Sequence, residues 1–176
     1  MMRKNLVKAS IVGILAIVTL TIYQIGNPME IKTEIIIKAP VEKVWEKLTD
    51  FAQYPNWNPF IIQVESNKIV GEQMLVTIKP IDKKPMSFKP KLLKFAASSE
   101  LRWIGIVGAR WIFSGEHYFI LQPINNNETK LIHGENFSGI LVPLFIKAEH
   151  IKKSFENMND VLKESLEHAG VANAIR

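Results

Sequence analysis

The 176-residue sequence contains no cysteine, which excludes disulfide frameworks, thiolate zinc sites and cysteine nucleophiles. It also lacks internal repeats and low-complexity tracts. Charge of one sign is scarce: 22 Lys+Arg stand against 17 Asp+Glu, and Arg3, Lys4 and Lys8 supply three of the positives. The remaining 19 basic and 17 acidic residues are near balance. The short Lys83-Lys84 and Lys152-Lys153 pairs have acidic neighbours, so no nucleic-acid face is expected. What is present is 47% hydrophobic residues with four Trp, three Tyr and nine Phe, enough to build a core. Such a composition fits one globular domain and excludes a disordered or collagenous chain.

Only one long hydrophobic run occurs. Leu6 to Ile25 is twenty residues broken by Lys8 and by small or weakly polar side chains. As a helix it covers about 30 Å, the thickness of a hydrocarbon core. Lys8 is placed to snorkel and Tyr23 to sit near the far interface. Tyr23-Gln24-Ile25-Gly26-Asn27 offers no Ala-x-Ala-like cleavage pattern, which favours an uncleaved anchor over a secretory signal. Arg3, Lys4 and Lys8 before the run place the amino terminus in the cytoplasm. The expectation is a single-pass protein of the cytoplasmic membrane with its domain on the extracytoplasmic side; the alternative is secretion after cleavage. Residues 1–26 form the anchor or signal segment, Gly26-Asn27-Pro28 breaks the chain, and residues 27–176 form the folded domain.

Within that domain, Ile31 to Lys38 reads as a strand ending at Ala39-Pro40. Pro40 suits the first position of a helix in which Val41, Val44, Trp45 and Leu48 share one face. Tyr54-Pro55 and Asn58-Pro59 predict extended backbone at Tyr54 and Asn58 within a broken, aromatic-rich segment from Phe51 to Phe60. From Ile61 to Ser138, turn residues at Ser66 to Lys68, Ile81 to Pro85, Gly105 to Gly108 and Asn125 to Asn127 divide six more strands. Ile151, Phe155, Met158, Leu162 and Leu166 predict a long last helix capped at Gly170. No crossover helices separate the strands, so the fold class is α+β: a curved antiparallel sheet of about seven strands around a long C-terminal helix, preceded by an N-terminal transmembrane helix. A gap between sheet and helix would be a ligand site.

The run Lys38-Ala39-Pro40-Val41-Glu42-Lys43-Val44-Trp45, then Leu48-Thr49-Asp50-Phe51, Tyr54-Pro55 and Trp57-Asn58-Pro59-Phe60, resembles the opening of the SRPBCC superfamily, the START, polyketide-cyclase and lipid-transport helix-grip proteins. The resemblance continues through Glu100 to Trp103, Gly115 to Phe119, His133 to Gly139 and Phe155 to Asn159, covering Glu30 to Gly170. It implies a deep hydrophobic cavity between sheet and last helix, and a domain that binds or carries a small hydrophobic molecule: a lipid, an isoprenoid or a polyketide-like compound.

Strand parity places Trp111, Phe113, Gly115, His117, Phe119 and Leu121 on one face, and Thr129, Leu131, His133, Glu135 and Phe137 on one face of the next strand. Both faces are expected to point inward. A turn at Asn125 to Asn127 sets His117 opposite His133 or Glu135, depending on register. Three readings fit this cluster: a hydrogen-bonded polar patch, acid–base chemistry alpha to a carbonyl by His117, His133 and Glu135, or metal binding by two His and a carboxylate. The expectation is a site without metal or cofactor. Trp57 and Phe60 fall where the resemblance puts the cavity entrance. Trp103, Phe113, Phe119 and Phe137 are candidates for its wall, joined by Phe155 and Met158 from the last helix. The expected function is hydrophobic ligand binding. The alternatives are a cyclase, dehydratase or hydrolase using His117 and Glu135, and a non-catalytic envelope interaction module. Nothing in the sequence fixes an oligomeric state.

Overall fold

A computed structural model describes residues 2–174; the side chains of residues 2–4, 6, 7, 9, 14, 20, 21, 24, 25 and 169–174 lie outside that description. Helix α1 (Met2–Gly26) leads by two residues into strand β1 (Met29–Ile37). Its end is closed by Asn27, whose backbone N–H and side-chain amide both donate to the Tyr23 carbonyl, at 2.9 and 3.0 Å. The described apolar side chains of α1, among them Ile11, Val12, Leu15 and Ile22, are exposed. Among the described residues no helix is long and apolar enough to cross a membrane. The expected span of residues 6–25 is therefore not shown; eight of its twenty side chains fall outside the description.

Helix α2 (Val41–Thr49) buries Val44, Trp45 and Leu48, the face its periodicity marks. Pro40 stands one position earlier than expected, as the cap before the first turn. A 3-10 turn at Phe51–Gln53 and the short helix α3 (Tyr54–Trp57) follow. Asn58 is extended before Pro59, as expected, but Tyr54 is helical at φ −53° and ψ −42°. Pro55 falls in the first turn, where its missing N–H costs no helical bond. The fully buried Tyr54 also donates its hydroxyl to the Leu48 carbonyl at 2.6 Å.

Among the described residues eight strands, rather than about seven, form two antiparallel sheets. Strands β2 (Ile61–Glu65), β3 (Leu75–Ile78) and β4 (Met86–Phe88) make one. Strand β1 joins β5 (Lys91–Ala96), β6 (Glu100–Val107), β7 (Phe113–Asn125) and β8 (Glu128–Ser138) in the order β1-β8-β7-β6-β5. The sheets are stitched together by bonds from Gly71 to Leu92, Leu92 to Glu72 and Met74 to Pro90. Strand β6 runs through Gly105 to Val107, so the β6–β7 turn lies later than expected. Trp111 sits in that turn, 47% exposed, instead of on the inward face.

Helix α4 (Val142–Phe145) precedes α5 (Ala148–Ala174), which lies chiefly against β1. Phe155, Met158, Asn159 and Leu162 form its buried stripe. The helix continues past Gly170, so that residue does not cap it. On the outer face of the sheet, Arg102 bridges Glu100 and Glu116 at 2.6 and 2.5 Å.

Candidate functional site

The β7–β8 hairpin fixes the site. Its register pairs His117 with Glu135 and Phe119 with His133, while β1 adds Ile31 opposite Glu135 and Thr33 opposite His133. Strand β6 sets Trp103 against His117. All of these point to the concave face that α5 covers. The two alternative partners of His117 are both reached: Glu135 Oε2 lies 3.3 Å from its Nδ1, and His133 Nε2 lies 3.1 Å from its Nε2.

A polar chain continues beyond the second imidazole. His133 Nδ1 is 2.8 Å from Asn159 Oδ1, Asn159 Nδ2 donates to Thr33 Oγ1 at 2.9 Å, and Thr33 Oγ1 donates to the His133 carbonyl at 3.2 Å. Thr33 and Asn159 are the functional-site residues the sequence reading missed. Their positions carry a signal: Thr33 has the inward parity of Ile31 and Ile35, and Asn159 is four residues after Phe155 on the apolar stripe.

Aromatic rings enclose the chain. Trp103 stacks on His117 with centroids 4.6 Å apart, and Phe155 stacks on His133 at 4.0 Å. Phe119 contacts both imidazoles. Burial pushes His117 down to about 3 and His133 well below the ordinary imidazole value. The same desolvation pushes Glu135 up to about 8. Of the five side chains Glu135 is the most open, at 18% side-chain exposure against 4% for His117.

Gly115 makes the room that Glu135 occupies. Gly105 pairs with Gly115 across β6 and β7. A Cβ on Gly115 would overlap Glu135 Oε1 and press on Phe137 at 3.2 Å, and one on Gly105 would meet the Phe88 ring at 3.5 Å.

Most expected lining residues converge here. Trp103, His117, Phe119, His133, Phe155 and Met158 are buried and mutually packed, and Phe60 reaches Phe155 at 5.6 Å. Phe137 and the half-buried Phe113 lie toward the β6–β7 turn, where Phe113 meets Phe145. Trp57 stands apart, its ring against Tyr54 at 5.2 Å with Lys47 Nζ 5.6 Å away. The centre of the expected cavity is thus filled by side chains. Among the described residues, a groove of about 500 Å³ between β1 and α5 is lined by Thr33 and Asn159 at the far end of the polar chain, and a second hollow of about 310 Å³ lies apart from the site, beside Glu65 to Asn67 and Gln73 to Leu75.

Metal binding by this cluster loses its geometry, because Glu135 approaches Nδ1 of His117, the nitrogen opposite the one that faces His133. Among the described residues no group of three His, Asp or Glu side chains is arranged to hold a metal ion.

Residues 28–167 match the family model described as "Polyketide cyclase / dehydrase and lipid transport". Among curated proteins no relative matches the chain. Solved structures share the fold at low identity. A START superfamily protein from Mycobacterium smegmatis is 18% identical, with 80% of this chain and 98% of that one covered at a TM-score of 0.60. A protein from Chromobacterium violaceum is 15% identical, with 80% and 99% covered at 0.63. A point mutant of norcoclaurine synthase from Thalictrum flavum, in complex with a transition-state analogue, is 11% identical, with 81% and 96% covered at 0.60.

Proposed function

The chain belongs to the polyketide cyclase / dehydrase and lipid transport family of the SRPBCC superfamily, and from that premise we propose that it is a membrane-anchored domain that binds or carries a small hydrophobic ligand. The observation that carries this reading is the composition of the concave face. Aromatic side chains line it around one partly exposed carboxyl, that of Glu135. Apolar walls with a single polar group that fixes orientation are what a hydrophobic ligand needs. Burying ten methylenes contributes about 8 kcal/mol before ordering costs, so such a face can hold a lipid, isoprenoid or polyketide-like molecule without catalysis.

The ligand enters where the glycine pair thins the sheet, beside Phe88, Phe113 and Phe137, and displaces ring contacts there. Anchoring through residues 6–25 is supported by the length and apolarity of that run in the sequence and by the exposure of its described side chains. The linker between α1 and β1 is two residues, so the Met29 end of the sheet stays within about 11 Å of the helix. Met29 pairs with Phe137. Exposed Val107, Trp111, Leu144 and Phe145 lie on the segments that begin or end at that same end of the sheet. Ligand transfer to and from a bilayer is then short.

Native mass spectrometry of the full chain, released from detergent micelles after purification from its own host, tests the proposal. A retained apolar molecule of discrete mass supports it. An empty protein that no added lipid stabilises overturns it.

A second reading, proton transfer by Glu135 and His117 to a bound carbonyl compound, is favoured by one observation: a carboxyl pushed up to about 8 holds its proton near neutral pH. Loss of turnover in His117→Ala and Glu135→Gln, with ligand still bound, is the outcome that reading requires.

A further inference from the structure

The hydrogen-bond chain from Glu135 to Thr33 ends on a backbone carbonyl, and a carbonyl can only accept. Its direction follows link by link. The single proton of the Thr33 hydroxyl goes to the His133 carbonyl, so Thr33 Oγ1 must accept from Asn159. The amide nitrogen of Asn159 therefore faces Thr33, and its Oδ1 faces His133. His133 must carry its proton on Nδ1 to meet that oxygen, which leaves Nε2 as an acceptor. His117 then donates from Nε2, so its Nδ1 is an acceptor too. The atom facing Nδ1 is Glu135 Oε2, and only a protonated carboxyl can donate to it.

We infer that the His133 backbone carbonyl, acting through Thr33 and Asn159, fixes the polarity of the whole chain, holds Glu135 as a neutral carboxylic acid, and leaves Glu135 Oε1 as a hydrogen-bond acceptor for the hydroxyl or N–H of a neutral ligand.

The surroundings agree. The titratable groups facing Glu135 are His117 on β7 and His133 on its own strand, both held neutral by burial. Strand β1 offers Ile31, β6 offers Trp103 behind His117, and α5 covers the imidazoles with Phe155. No cation stands among these side chains to hold a carboxylate. No donor among the described residues meets Oε1. A ligand anion brings only acceptors to that atom, whereas an alcohol, phenol or amine N–H completes the bond. Thr33 and Asn159 are positioning residues here, since they act on Glu135 through the imidazoles. The ligand half of the inference rests on the proposed binding function; the polarity of the chain does not.

Two measurements on the full chain in detergent micelles separate these halves. Nitrogen-15 spectra of the imidazoles at pH 6 should show His133 protonated on Nδ1 and His117 on Nε2, with the Glu135 carboxyl carbon in its protonated form. A Nδ1–H tautomer at His117, or an ionised Glu135 at that pH, overturns the polarity. Thr33→Val should lower the titration midpoint of Glu135, and Thr33→Ser should restore it; an unchanged midpoint in Thr33→Val also overturns it. Binding is then read with 2-naphthol and 2-naphthoate, which share a ring system and differ in the polar group. At least tenfold tighter binding of 2-naphthol, lost in Glu135→Leu, is expected. Equal or tighter binding of 2-naphthoate overturns the ligand class. If neither probe binds, the ligand half fails; the proposed function falls with it only when native mass spectrometry also finds the protein empty, and the tautomers alone decide the polarity.

Discussion

Gly115 and Glu135 occupy one space: the carboxyl of Glu135 lies where a side chain on Gly115 would begin. Gly115→Ala should push the carboxyl off His117 and cost about 1–3 kcal/mol of stability, the usual range for forcing extra carbon into a packed site. Urea unfolding reads the loss. A variant as stable as the parent would show that the carboxyl has another place to go.

The pH dependence of stability should have two limbs. Both imidazoles are held neutral in the fold, so their contribution is complete above pH 6.5, the ordinary imidazole value, and is lost as pH falls toward about 3 for His117. Glu135 is held protonated, so its contribution is complete below pH 4.5 and is lost as pH rises through about 8. Two groups outweigh one between 4.5 and 6.5, which places the maximum near pH 6.5. Each limb beside it has a slope of at most about 1.4 kcal/mol per pH unit, the linkage of one proton.

Glu135→Gln has the shape of the protonated acid and does not titrate. It should match the parent's stability near pH 4.5, exceed it increasingly as pH rises toward about 8, and abolish the alkaline limb. Thermal melts from pH 4 to 9 check these statements, and an alkaline decline that survives in Glu135→Gln would assign that limb to another group.

Phe155 is fully buried against His133. Phe155→Ala should cost about 3–5 kcal/mol. Trp111, which parity alone would put inside, is half exposed in the β6–β7 turn, and Trp111→Ala should change stability by about 0.5 kcal/mol or less. Similar losses at the two positions would contradict the placement of the turn.

The anchor proposal has its own outcome. The full chain should remain with membranes through alkaline carbonate extraction, and a chain lacking residues 2–26 should be released. Protease added outside sealed right-side-out vesicles should remove the folded domain. Full release of the intact chain by carbonate would remove the anchor from the account.

Much of the α+β architecture was legible because it rests on local signals. The apolar face of α2, the Asn125 to Asn127 turn and the α5 stripe are all periodicities of side chains near in sequence. Tyr54 escaped because tertiary packing overrides local preference there: it adopts helix, with its side chain buried, before a proline whose position in the first turn makes it tolerable; at Gly170 the helix runs on through a residue that local preference reads as a stop. The parity of β7 and β8 correctly gathered His117, His133 and Glu135. Register was the part left open, and the structure shows the choice to be softer than it looked, since the imidazole of His117 reaches both candidates. Thr33 and Asn159 were missed for a different reason. Each is a small polar residue inside an apolar pattern, and its role exists only through a partner about a hundred residues away.

That separation has a consequence for biosynthesis. Strand β1 is made first among the strands, yet its sheet partner β8 follows about a hundred residues later. At a synthesis rate of about 5–20 residues per second, β1 waits roughly 5–20 s before its ladder can form. Through that interval Ile35, Ile36 and Ile37 are an unpaired β-branched edge beside an apolar helix, open to pairing with another nascent chain. The first strand made is the last placed in its sheet, and a binding chaperone or a translocation channel that shields it would raise the yield of folded protein.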